Sequence, residues 1–159
     1  MAEKLKLGVI GMSEGNGHPY SWSAIFNGFD QNEMNRCPFP VIPEYLSKQR
    51  FPDDFLSDMA EVTHIWTQER EISEAIANAS RIKQICDTKE EMIGAIDALL
   101  LARDDAENHY KHALPFLEAG IPVYIDKPFA LSVNDAHKIW DACIYPDQIF
   151  TCSALQFAR

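Results

Sequence analysis

Lys4-Leu5-Lys6-Leu7-Gly8-Val9-Ile10-Gly11 alternates polar and apolar residues and then turns apolar, as a strand entering a buried sheet does. The turn that follows, Gly11-Met12-Ser13-Glu14-Gly15-Asn16-Gly17-His18, is rich in glycine, and Pro19 suits the opening of a helix. Trp22, Ile25, Phe26 and Phe29 then recur at helical spacing. Strand, glycine turn and helix in that order open an alternating α/β chain.

The same alternation continues outward from this unit. Val62–Trp66 reads as a strand, and Ile72, Ala75, Ile76 and Ala79 mark one face of a helix. Ile82–Cys86 is a short strand, and Thr88 to Glu91 has capping-box spacing ahead of Met92, Ile93 and Ile96. Ala98–Ala102 reads as a central strand covered on both faces. The next helix carries Ala106, Tyr110, Ala113, Leu114 and Leu117 as a stripe, with Pro115 inside it and Gly120 as its stop. Val123–Ile125 is another strand. Ser132 caps a helix with Val133, Ala136, Ile139, Trp140 and Cys143 on its apolar face, and Ile149–Leu155 is the last strand. This order predicts one doubly wound Rossmann-type α/β domain over 1–159, with about six mostly parallel strands and helices on both faces.

Residues 30–61 interrupt the rhythm. A loop of that length is uncommon unless it carries structure or function of its own. Pro38, Pro40 and Pro43 exclude a central strand, and Pro52 is placed to start a short helix through Phe55, Leu56 and Met59. The insertion reads either as a packed decoration or as a lid or partner surface.

The 24 acidic residues against 14 Lys and Arg give a net charge of −10, which repels phosphate backbones and anionic lipid, so nucleic acid and membrane are not expected partners. No apolar run approaches the roughly 20 residues of a membrane helix. No signal peptide is expected from the opening residues, and Cys37, Cys86, Cys143 and Cys152 form no CxxC pair. Free thiols in a reducing cytoplasm are therefore expected.

In a doubly wound sheet the ligand lies beyond the carboxyl ends of the strands where their order reverses. The turn after the first strand offers backbone N–H groups there. Ser13 stands where G-x-G-x-x-G has its second glycine, while Gly11, Gly15 and Gly17 spread over a longer loop and Glu14 opposes an anion. A dinucleotide or other phosphate site and a purely structural turn both remain open. His18 is placed to donate a hydrogen bond beside the turn. Glu69, or Gln68, ends the second strand, where an acid holds the ribose hydroxyls of NAD; Glu69 equally suits the first turn of the next helix. No arginine other than Arg70 stands there for a 2′-phosphate, so NAD is slightly preferred to NADP. Arg103 is placed to pair with an anionic ligand or with Asp104 and Asp105. His109 and His112 have helical metal spacing without a convincing third ligand, and no metal is expected.

The stretch His109-Tyr110-Lys111-His112-Ala113-Leu114-Pro115-Phe116-Leu117-Glu118-Ala119-Gly120 and its continuation to Asp126-Lys127-Pro128 resembles the Gfo/Idh/MocA family of NAD(P)-dependent oxidoreductases. Residues 87–102 also look like that family's pattern. Asp126 replaces a usual glutamate, Arg103-Asp104-Asp105 stands where many members have Thr-Pro-Asn, and the glycine turn is irregular. The resemblance implies a catalytic role for Lys127, oriented by Asp126, a place for His109 beside cofactor or substrate, and a loop fixed by Pro128. It also implies a second domain, which this sequence does not contain, so the chain alone is expected to be incomplete for catalysis.

The expected function is therefore the cofactor domain of an NAD(P)-dependent oxidoreductase acting on a secondary alcohol or ketone of a sugar or polyol. The rival is a stand-alone nucleotide- or CoA-binding module. A third reading is a cofactor-free domain serving a homo-oligomer through the insertion.

Overall fold

The computed structural model describes residues 3–153. Six parallel strands lie in the order β3-β2-β1-β4-β5-β6, the doubly wound arrangement. They are β1 (Leu5–Ile10), β2 (Ala60–Trp66), β3 (Gln84–Ile85), β4 (Ala98–Leu101), β5 (Val123–Ile125) and β6 (Ile149–Phe150). The helices are α1 (His18–Asn27), α2 (Gln31–Met34), α3 (Val41–Leu46), α4 (Arg70–Ser80), α5 (His109–Glu118) and α6 (Val133–Asp141). Short 3₁₀ turns cover Lys89–Met92 and Ala106–Asn108. Among the described residues no helix is long and apolar enough to cross a membrane. All four cysteines are free thiols.

Alternation within the strands splits the core in two. Val9, Val62 and Ile65 face α1 and α4, with Ala24, Ile76 and Ala79 against them. Ile10, Leu99, Leu101, Val123 and Ile125 face α5 and α6, meeting Phe116, Leu117 and Ile139. Beyond β1 only that second face is roofed by helices. Leu100 and Tyr124 remain half-buried and Phe150 exposed, which corrects the expectation of a β4 covered on both sides.

Several boundaries and faces differ from the periodicity. The α5 stripe is His109, His112, Ala113, Phe116 and Leu117, with Tyr110 exposed and Leu114 at its margin. The tighter 3₁₀ turn before it, with three residues per turn, sets a different phase from a helix beginning at Ala106. In α1 the buried stripe is Tyr20, Ser23 and Ala24, and Trp22 and Phe26 flank it. Ala75 lies outside the buried face of α4. Ser132 caps α6 as expected, accepting the Asp135 N–H at 3.1 Å, but of its expected apolar face only Ile139 is buried. Val133 and Trp140 point outward because no described element covers that side. β6 stops at Phe150, and Leu155 lies outside the described residues.

The insertion is a packed decoration. Asp30 caps α2 through its carboxylate, and Met34, Cys37, Ile42 and Leu46 enter the first core. Pro40 and Pro43 sit at the entry of α3, where a missing N–H is no loss. Pro52 starts no helix; residues 51–54 and 57–59 form successive turns.

Candidate cofactor-binding site

The register sets the site. Ile10 pairs with Leu101 and Leu101 with Ile125, so the residues after β1, β4 and β5 emerge together along one sheet edge. β1 and β4 are neighbours although two strands intervene in sequence, which makes this the point where strand order reverses. Gly11 N–H still donates to Trp66 O at 3.1 Å, Ala102 N–H to Ile10 O at 2.8 Å and Asp126 N–H to Leu101 O at 3.1 Å.

Asp126 organises the glycine turn. Its side chain is 1% exposed. Oδ2 accepts from Asn16 Nδ2 at 2.9 Å and lies 2.5 Å from His18 Nδ1, while Oδ1 accepts the Lys127 N–H at 2.8 Å. Burial alone raises its pKa. The hydrogen bonds from His18 and Asn16, the His18 charge and the Lys127 N–H outweigh it and hold the group below the ordinary carboxylate value. Asn16 Oδ1 in turn accepts the His18 N–H at 2.9 Å, an Asx turn just ahead of α1. On the neighbouring strand end, Asp104 and Ser13 hold each other: Ser13 Oγ donates to the Asp104 carboxylate and accepts the Asp104 N–H at 3.0 Å.

Two glycines serve this geometry differently. Gly15 has φ +80°, a conformation that L side chains rarely adopt, and a Cβ there would meet open space. At Gly17 a Cβ would lie 2.5 Å from Ile42 Cδ1 and 2.8 Å from Phe39 Cδ2, so the insertion presses directly on the turn. The N–H groups of Ser13, Glu14, Gly15 and Gly17 carry no hydrogen bond among the described residues. That donor set fits a phosphate held on the loop. It does not fit one held on the helix end, because Asn16 takes the His18 N–H and Gly17 O takes those of Tyr20 and Ser21.

The remaining candidates separate into engaged and open groups. Arg103 is 8% exposed and grips Asp105 through two bonds of 2.8 and 2.6 Å. It also donates to Gly11 O at 3.2 Å and Gln68 Oε1 at 3.0 Å, so its guanidinium is spent within the protein. Burial pushes Asp105 up, but Arg103 and Asn108 bring its pKa below the usual value. Gln68 is spent too, clasping the Met12 backbone through its O at 2.7 Å and N–H at 3.2 Å. Glu69 is the N-cap residue of α4, exposed, its carboxylate without a partner among the described residues. Arg70 pairs with Glu74 and Asp87. Lys127 is exposed with no partner for its Nζ among the described residues, and its peptide bond to Pro128 is cis.

His109 corrects the expectation of an imidazole beside a ligand. It is fully buried, with Nε2 2.9 Å from Arg103 O and Nδ1 3.1 Å from Phe129 O. It ties the loop after β4 to the loop after β5. Asn16 is the group the sequence reading missed. Its signal was available: an Asn two residues before a helix start can bond the backbone N–H two positions on.

One α5 turn further, His112 packs against Trp66 with ring centroids 5.7 Å apart and leaves Nδ1 buried without a partner among the described residues. Burial, then the Arg103 and Lys89 charges, push its pKa down to about 4. The folded protein keeps this ring neutral, while the unfolded chain protonates it near pH 6.5. Its share of stability is complete above pH 6.5 and declines as pH falls toward about 4, by on the order of 2 kcal/mol. His112→Phe is expected to flatten that limb in urea melts taken from pH 7 to 4.5; an unchanged slope would contradict the assignment.

Residues 5–152 match the family model of the Gfo/Idh/MocA oxidoreductases, described as their NAD-binding Rossmann fold. The chain belongs to this family. No curated protein is matched by sequence. Among solved structures of the fold, the chain is similar to an Agrobacterium radiobacter oxidoreductase in complex with NAD+, L-tartaric acid and magnesium, at 12% identity and TM-score 0.64, covering 94% of this chain and 35% of that one. It is similar to the WlbA dehydrogenase of Bordetella pertussis in complex with NADH and UDP-GlcNAcA, at 18% identity and TM-score 0.62, covering 94% and 37%. A myo-inositol 2-dehydrogenase from Lactobacillus plantarum shares 14% identity with TM-score 0.57, covering 88% and 33%. The chain thus spans about a third of the length of these family proteins.

Proposed function

We propose that this family domain binds NAD(H) over the carboxyl ends of β1 and β4 and serves an oxidoreductase acting on a secondary alcohol or ketone of a polyol or sugar. The observation that carries the reading is the set of unbonded N–H groups on the glycine turn, at the switch point of a sheet that matches an NAD-binding family model. Ser13, Gly15 and Gly17 hold the pyrophosphate through backbone N–H groups, and Gly11 sets where the turn leaves β1. Glu69 accepts the ribose hydroxyls. With Arg70 already paired, no other cation among the described residues stands there for a 2′-phosphate, so NAD is favoured.

The bound nicotinamide supplies a hydride acceptor or donor. Lys127, projecting beyond β5, polarises the substrate oxygen, and Asp126 and Pro128 fix the loop that carries it. His109 and Arg103 act beneath the site as positioning residues, holding three loops in register.

The test is selectivity. Loss of a charge-assisted hydrogen bond of about 1.5–3 kcal/mol weakens binding roughly 10- to 150-fold. Glu69→Ala is expected to lower NADH affinity in that range and to spare or improve NADPH. Equal losses for both cofactors, or no change for NADH, would contradict the ribose role.

A further inference from the structure

The amino ends of the strands carry a cleft of their own, separated from the glycine turn by the whole length of β1. It holds about 310 Å³ and opens between the starts of β1 and β2, the ends of α1 and α4, and the insertion. Lys4, Arg81 and Lys83 line it, with Phe26, Phe51 and Ser57. In this acidic chain most of the described cations are held by a carboxylate. Lys4, Arg81, Lys111 and Lys127 are the described ones that are not, and two of these four line this one cleft. Glu61 lines it too, but Lys83 Nζ lies 2.7 Å from its carboxylate, so that pair adds no net charge and the cleft stays positive. Arg81 stands there against the preference of its own backbone. It is the C-cap residue of α4 with φ +56°, in the left-handed region where glycine is favoured. Its side chain has no partner among the described residues, so no contact within the fold accounts for an arginine in that place. Phe51 is 50% exposed and rests edge to face on Phe55 with centroids 5.1 Å apart, an apolar wall beside the cations. The Ser57 hydroxyl also has no partner among the described residues.

We infer that this cleft binds a small dianion with an apolar body, of the phosphate monoester class. Lys4 and Arg81 supply the two charges that neutralise it, the guanidinium through the forked donation that matches phosphate oxygens. Ser57 adds a neutral donor, and Phe26 and Phe51 cover the organic part, the division of labour of a small-molecule site. Inorganic phosphate lacks the apolar part and benzoate lacks the second charge, so both bind less tightly. The inference stands apart from the oxidoreductase reading, since none of these residues belongs to the cofactor edge.

The test is an NMR titration of the isotope-labelled 159-residue chain with phenyl phosphate, a probe that carries neither adenine nor nicotinamide. It is run at low salt, where surface charges are least screened, and near about pH 7.5, where the monoester carries close to two charges. Saturable shifts of the amides around Lys4, Ser57 and Arg81 are expected, with a Kd below about 1 mM. Inorganic phosphate and benzoate are each expected to bind about ten-fold more weakly. Arg81→Gly and Lys4→Gln are each expected to weaken phenyl phosphate about ten-fold, the loss of one charge-assisted hydrogen bond. Glycine suits the left-handed backbone, so a thermal midpoint no lower than the parent's assigns the loss to the guanidinium. Lys111→Gln, which removes an unpaired cation on α5, is expected to change nothing. Shifts confined to residues 13–17 would place the probe on the glycine turn and overturn the proposal. So would no shifts at about 10 mM probe, or binding that neither Arg81→Gly nor Lys4→Gln weakens, or equal losses in all three variants.

Discussion

Asp126→Ala is expected to cost about 3 kcal/mol of stability at pH 7 and to abolish measurable NADH binding. The carboxylate is the common acceptor for Asn16 Nδ2, His18 Nδ1 and the Lys127 N–H. Alanine leaves the buried Asn16 amide without that acceptor and frees the residue whose Asx turn leads into α1. The glycine turn then loses its tie to β5, and its N–H groups lose their fixed direction. Asparagine keeps an acceptor oxygen and is expected to lose much less. The pH dependence has a definite sign. Because the folded pKa is depressed, the stability Asp126 contributes is complete above the ordinary carboxylate pKa near 4 and is lost as pH falls through the lower folded value. Denaturant melts of the three proteins between pH 7 and 3 check both statements. An alanine variant as stable as the parent, with the same acid limb, would remove Asp126 from the centre of the site.

Leu46→Ala is expected to cost about 3 kcal/mol, within the range for a fully buried leucine. The residue lies in the 30–61 insertion, is 1% exposed, and joins Met34 and Ile42 in the core that also holds Val9 and Ile65. A lid that opens and closes over a ligand would tolerate this truncation with little loss. The loss is also expected to reach the cofactor, because Ile42 and Phe39 bear on Gly17. Thermal unfolding and NADH titration on one sample measure the two consequences together. A change below about 0.5 kcal/mol, the range of ordinary surface substitutions, would return the insertion to the role of a mobile cover.

Outside the insertion the order of elements was legible because the helices and strands carry their own periodicity, and β1 with its glycine turn announces the switch point. What periodicity lacks is any report of the partner. Val133, Ile139 and Trp140 form an apolar stripe on paper, yet only Ile139 is buried. The helices of the insertion were hidden for a related reason: Pro40 and Pro43 read as strand breakers, though at a helix entry they cost nothing. At the candidate site, charge and residue type do not tell which groups neutralise each other. Arg103 is consumed by Asp105 two residues away, and Gln68 by the Met12 backbone across the sheet edge. His109 resembled a ligand-facing histidine and proved to be a strut, because both ring nitrogens find backbone carbonyls in three dimensions.

The most direct test is a titration of the 159-residue chain with NADH, followed through its Trp22, Trp66 and Trp140 fluorescence and through nicotinamide emission. Saturable quenching with a matching rise in nicotinamide emission is the predicted result, stronger for NADH than for NADPH and lost in the Asp126→Ala variant. Silence up to millimolar NADH and NADPH, with a response to CoA instead, would contradict it.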